Sequence, residues 1–424
     1  MRSSFRFVPP VAAAMAISAV LFAATKIDSV QPDGLTVHEW GTFTSVAGED
    51  GSAIEWNALG CKSDLPRFVH DFGYRGLKLG ISGTVRMETP VLYFYSSREL
   101  DAHVKVTFPQ GLLTEWYPQA EYEVHQNNVA DASTTESGTK RVLIPAPRNV
   151  AGCLLCHHEG LNGKDTSVEN LTGTIEWSNI HVQPGASPNL PVESEPSRYY
   201  AARQTDAAPI TVGDQQEKFL FYRGVGRFPI PLSARVSSDG RVTVDNRGQR
   251  PVPSVILFEN LDGRMGYRAA GAIPGSLTLD APALDGSLPQ LRQELETALI
   301  AQGLFPKEAH AMIETWRDSW FEEGSRLIYI LPTPAVNALL PLQVEPAPSR
   351  TVRVFVGRIE LVTPETRQAV ESAIANSDWP ALDRYNRFLD PILRRIYSGD
   401  PSKAGEVERL FQNYQQSIGG GACR

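Results

Sequence analysis

Residues 35–46 read Leu35-Thr-Val-His-Glu-Trp-Gly-Thr-Phe-Thr-Ser-Val46. Apolar and polar side chains alternate along much of this stretch, the period of two that marks a half-buried β-strand. The reading recurs at 84–95, 103–108 and 112–117, which are rich in Val, Thr, Tyr, Phe and Trp and separated by Ser-Ser or Gln110-Gly111 turns. Residues 119–127, 140–145 and 173–182 add further strands, with a polar loop at 130–138. Short strands follow at 219–222, 230–236, 241–244, 255–259 and 265–269, and Asp239-Gly240 and Asp262-Gly263 are hairpin signals between them. This spacing predicts an antiparallel sandwich or barrel-like body.

The last third changes period. Residues 288–302 and 306–323 are amphipathic helices, the second carrying Ala309, Met312, Ile313, Trp316 and Trp320 on one face. Pro306 suits its first turn and Gly324 its stop. A strand pair is expected at 326–331 and 351–362. Thr363 then caps another helix, residues 382–396 carry a helical stripe, and 407–414 form a final short helix. The class expected is mainly β with a C-terminal helical region, α+β as a whole.

The 424 residues exceed the size of one small domain. Residues 1–24 read as a secretory signal, with Arg2 and Arg6 ahead of the apolar run Val11–Ala24. That run is shorter than the roughly 20 residues a membrane span needs. No clean small-x-small cleavage site follows, so an uncleaved N-terminal anchor stays open as the alternative. The expected organisation is a β-rich domain at 25–280 with an inserted loop at 146–172, then a helical region at 281–424. The expected location is periplasmic or secreted. A net charge of -8 argues against nucleic acid or an anionic membrane as the main partner.

Within the inserted loop stands Cys153-Leu-Leu-Cys-His157. Cys-x-x-Cys-His supplies two thiols for the vinyl groups on one edge of a porphyrin and an imidazole for the iron. One covalent haem c is therefore expected, on Cys153 and Cys156, with His157 as axial ligand. Alternatives are zinc held by Cys153, Cys156 and His157 or His158, and a structural or redox disulfide. Cys61 and Cys423 are the other two cysteines and could pair. Among candidate sixth ligands, His158 adjoins the proximal ligand and Met312 lies on a core face. Met265, His181 and His125 remain, beside a five-coordinate iron. No feature identifies a redox partner protein.

These five residues resemble the attachment signature of c-type cytochromes, which implies haem iron on His157. The chain lacks the helix pair and Met-Pro loop of a small cytochrome c domain. The body resembles a group of uncharacterised exported bacterial proteins through His38-Glu-Trp-Gly-Thr-Phe-Thr44, Met87-Glu-Thr-Pro-Val-Leu-Tyr-Phe-Tyr95, Thr114-Glu-Trp-Tyr-Pro118 and Arg353-Val-Phe-Val-Gly-Arg-Ile-Glu360. That resemblance implies no activity.

The function expected is electron transfer or a redox accessory role, against a non-catalytic β-sandwich binding or structural module. Other patterns read as structural. His38 and Glu39 point to opposite faces of a strand, as packing residues with one polar face. His310 and Glu314 share a solvated helix face. Gly224-Val-Gly226 reads as a turn in β context. Glu88, Asp64 and Glu115 are candidate paired carboxylates that nothing in one sequence brings together.

Overall fold

The computed structural model describes residues 34–56, 58, 65–71, 83–126, 140–143, 168–397, 405, 409 and 410. The signal segment, the Cys153–His157 stretch, Asp64 and most of the last expected helix lie outside them.

Eleven strands frame the body: β1 (Thr36–Val46), β2 (Val85–Tyr95), β3 (Leu100–Pro109), β4 (Gly111–Tyr117), β5 (Glu121–Gln126), β6 (Leu171–Val182), β7 (Leu220–Gly226), β8 (Val255–Leu261), β9 (Arg264–Ala270), β10 (Gly324–Ile330) and β11 (Arg350–Leu361). They form one mixed sheet in the order β6-β4-β7-β2-β1-β11-β10-β8-β9, with β3 and β5 also paired to β6. A separate small sheet contains Leu232–Val236, Val242–Asn246 and Ser276–Leu279. The β-rich α+β class is as expected. Residue 280 does not divide the strands, because β10 and β11 sit between β1 and β8.

Most neighbours are antiparallel, but β1 runs parallel to β11 in unbroken register from Thr36 opposite Arg350 to Val46 opposite Glu360. β1 is buried along its whole length, not half-buried as its alternation suggested. Both faces are covered. Val37 and Phe43 join Met87, Val104, Phe108 and Ile175 in one core. Trp40 joins Val91, Val354 and the helices α1 (Leu288–Ala301) and α2 (Pro306–Trp316) in another, where Ala309, Met312, Ile313, Trp316 and Trp320 are buried. The polar half of the β1 alternation is therefore interior, and each of those groups needs a partner there.

Local chemistry explains the boundaries. α2 has Pro306 at its first turn and ends at Trp316, several residues before the expected stop. Gly324 then opens β10 at φ +110°, where a Cβ would meet the Glu360 carboxylate at 2.8 Å. Asp262 and Gly263 both have positive φ, the geometry of a tight two-residue hairpin joining β8 to β9. After α3 (Thr333–Leu339), the Thr363 hydroxyl accepts from the Thr366 amide and caps α4 (Pro364–Ala375). The stripe at 382–396 is broken into α5 (Trp379–Asp383), a 3-10 turn at Asn386–Phe388 and α6 (Leu389–Tyr397).

Pro90 would normally be excluded from a central strand, since it has no N–H to donate. It is accommodated by a bulge in β2 opposite Gly41, where Thr89 takes φ +49°. Gly224-Val-Gly226 is not a turn but the end of β7. A Cβ on Gly224 would lie 2.4 Å from the Leu112 carbonyl. On β11, a Cβ on Gly357 would lie 2.0 Å from the buried Tyr329 ring. Gly357→Ala is expected to destabilise the chain by about 2 kcal/mol through overpacking, measured by urea denaturation.

Candidate functional site

The four segments that carry the resemblance come together. His38–Thr44 lies in β1, Met87–Tyr95 in β2, Thr114–Tyr117 in β4 and Arg353–Glu360 in β11. Cross-strand partners share a face, so register builds the site directly. Thr42 faces Glu88, Thr44 faces Arg86 on one side and Arg358 on the other, and Arg326 faces Glu360. On β7, next to β2, Arg223 is opposite Glu115. All project to the face that packs under residues 317–323 and 386–388.

The result is a buried ionic block. Arg387 Nη1 donates to both Glu88 oxygens at 2.9 Å, and its Nη2 reaches Ser319 Oγ at 3.0 Å. Arg358 donates to the Ser319 carbonyl at 2.7 Å, to Glu322 at 2.7 Å and to Glu360 at 3.1 Å. Arg326 holds the other side of Glu360 and also binds the carbonyls of Trp320, Glu322 and Glu323. The Phe388 ring lies under the guanidinium groups of Arg358 and Arg387, at 4.5 and 4.8 Å. Arg86 donates to the Ala58 carbonyl at 2.7 Å.

Burial alone would raise the Glu88 pKa; the guanidinium groups of Arg387, Arg86 and Arg223 outweigh it and bring it down to about 2. Desolvating this many charges is expensive, and apolar packing of the same volume is often as stable or more so. A strand bulge with a β-branched residue at positive φ adds strain of about 1–3 kcal/mol at the same place. Costs concentrated at one spot point to a functional site.

Two smaller networks flank the block. Glu39, on the opposite face of β1, accepts from Tyr222 and from its cross-strand partner Arg353. Arg353 continues to Asn337 at 3.0 Å and the Leu340 carbonyl at 2.7 Å. His38, on the block's face but nearer the start of β1, has Nδ1 2.8 Å from Glu308. Glu308 also accepts from Tyr95 at 2.8 Å and from the Phe305 amide at 2.7 Å. His38 and Glu39 do point to opposite faces, but each holds a buried carboxylate or arginine network, which packing alone did not anticipate.

Of the expected haem residues, Cys153, Cys156, His157 and His158 lie outside the described residues. His125 is on β5, in register with Thr172 of β6 and Arg141 of the Lys140–Leu143 strand, with its ring 3.4 Å from Glu123. His181 is near the far end of β6, its Nδ1 2.9 Å from Asp101. Met265 is on β9, at the other end of the strand order, half-buried against the core under α1 and α2. The structure therefore brings none of these three to another. Met312 is core, as expected. Glu88 and Glu115 share a face with Arg223 between them. His310 is exposed and Glu314 pairs with Arg292. Among the described residues, no group of three His, Cys, Asp or Glu could hold a metal ion, and no helix is long and apolar enough to cross a membrane.

No family model matches the chain, and no curated protein matches it. A solved structure, the yeast delta-COP-I mu-homology domain complexed with a Dsl1 WxWxV peptide, aligns with 78% of this chain and 98% of that one. The identity is 10% and the TM-score 0.23, too low to bear on fold or function.

Two outcomes test the block. Removing one partner of a buried pair strands the other charge, so Arg387→Ala is expected to cost about 3 kcal/mol in urea denaturation. The Glu88 pKa is lower folded than unfolded, so its stabilisation is complete above the ordinary carboxylate value near 4.5 and fades as pH falls towards 2. Stability measured across that window should drop by about 3 kcal/mol more in wild type than in Glu88→Gln.

Proposed function

We propose that this chain is an exported protein carrying one covalent haem c, with thioether bonds at Cys153 and Cys156 and His157 on the iron, serving electron transfer or a redox accessory role. The observation that carries the reading is the Cys153-Leu-Leu-Cys-His157 run itself. Each thiol adds across a porphyrin vinyl group, and the adjacent imidazole supplies the nitrogen ligand. This donor set fits the group. When bound, the haem supplies one-electron redox chemistry. The basic and apolar N-terminal segment supports export, the setting in which such attachment takes place.

The chain's own role is tethering. The stretch from 144 to 167 leaves after Lys140–Leu143 and returns before β6, and both of those strands lie beside β5. A fully extended chain reaches about 3.5 Å per residue, so His157 stays within about 40 Å of Val168. His125 occupies this corner of the sheet, which favours it as the sixth ligand over Met265 at the other end of the strand order. His181 already has both ring nitrogens near carboxylates, at 2.9 Å from Asp101 and 3.7 Å from Glu99.

A second reading is a binding module whose Cys-x-x-Cys-His holds zinc or a disulfide. The ionic block favours it, since every residue named in that block lies outside the 144–167 stretch.

Expressed with haem-attachment machinery, the purified protein should show a Soret band that survives acid-acetone extraction. A colourless protein would overturn the haem reading, and one zinc per chain would establish the second. His125→Ala should keep the covalent haem but shift the Soret maximum or increase carbon monoxide binding. An unchanged spectrum and unchanged binding would remove His125 as ligand.

A further inference from the structure

The ionic block is not closed. Arg387 is matched by Glu88, and Arg326 and Arg358 by Glu360 and Glu322. Arg86, half-buried, hydrogen-bonds only to the neutral Ala58 carbonyl among the described residues. Beside it on the same face, the Thr42 and Thr44 hydroxyls are 1% and 0% exposed and have no partner among the described residues. Register places Thr44 directly between Arg86 and Arg358. Among the described residues the Arg358 Nε–H is also unpartnered. So is the indole N–H of Trp56, whose ring lies 5.7 Å from Phe388, the aromatic floor of Arg358.

These unfilled groups share one character. Each is able to donate a hydrogen bond, one is a guanidinium, and no unfilled carboxylate stands among them. A buried donor without a partner costs roughly 1–3 kcal/mol, so several together favour a bound group that brings acceptors. At Thr44 a cation would sit between the two arginines, Arg86 and Arg358. From this geometry we infer that Arg86, Thr42 and Thr44 form the recognition end of a binding site for a small anionic ligand, presenting a carboxylate or phosphoryl group. Arg86 is only half-buried, and its exposed side is the way in. Arg86 supplies the charge-assisted contact, and the threonines on β1 fix the orientation. The site goes beyond the haem reading and uses none of its residues.

The test is thermal unfolding and titration calorimetry of the full chain in inorganic phosphate or acetate, against chloride at equal ionic strength. Wild type should be stabilised by phosphate or by acetate, and the arm that responds identifies the ligand's group. Arg86→Gln should weaken that binding at least tenfold. Thr44→Val should also weaken it while leaving the melting temperature in chloride unchanged or higher, because it removes a hydroxyl that no group among the described residues satisfies. Thr44→Ser should restore binding, and Arg264→Gln, on the exposed β9 edge, should leave it untouched. Equal melting in all three salts would overturn the site. So would undiminished binding in Arg86→Gln with a native circular dichroism spectrum.

Discussion

The in-register parallel pairing of β1 with β11 is the constraint on which the other features depend. It joins a strand beginning at residue 36 to one beginning at residue 350 and places both at the middle of the sheet. Because the two are covered on both faces, every polar side chain they carry except Arg350 and Thr351 at the start of β11 is interior. The pairing then decides which groups meet. Glu39 falls opposite Arg353 on one face, and Thr44 and Val46 fall opposite Arg358 and Glu360 on the other. A slip of one residue would exchange these faces and strand several charges at once. A register this heavily penalised against slippage is a rigid platform.

What that platform carries is costly by any area-based accounting. The large apolar clusters on the two faces supply the driving force for folding, whereas the arginine–glutamate block returns at best its own desolvation cost. Its cap supports this view. Ser319, Glu322 and Arg387 come from irregular segments after α2 and before α6, and they close over the strands through specific contacts to Glu88, Arg358 and Glu360. The closure ties the helical last third to the sheet by charge as well as by packing.

Much of the fold was legible in the sequence because its signals are local. Strand period, the Asp262-Gly263 hairpin, the Thr363 cap and the apolar face of α2 all depend on residues close together in the chain. The parallel union of β1 and β11 was not, since no local pattern records a contact across more than 300 residues. The interior position of His38, Glu39 and Thr42 is hidden in the sequence for a related reason. Alternation of polar and apolar residues ordinarily marks a solvated face, and only the helices and turns packed over that face reveal that it is buried. Gly224 and Gly226 read locally as a turn, because the crowding that requires them comes from β4 and from Phe108, far off in sequence. The four motif segments were all visible; that they are neighbours was not.

The haem reading rests on chemistry that five consecutive residues carry by themselves, and the sheet provides the two strands between which that stretch is strung. Its most direct test is the mass of the peptide containing Cys153 to His157, released by protease from chain produced with haem-attachment machinery and analysed without reductant. A single peptide heavier by one haem, with both thiols consumed, is the expected result. A peptide of unmodified mass, or one lighter by two hydrogens, would contradict it.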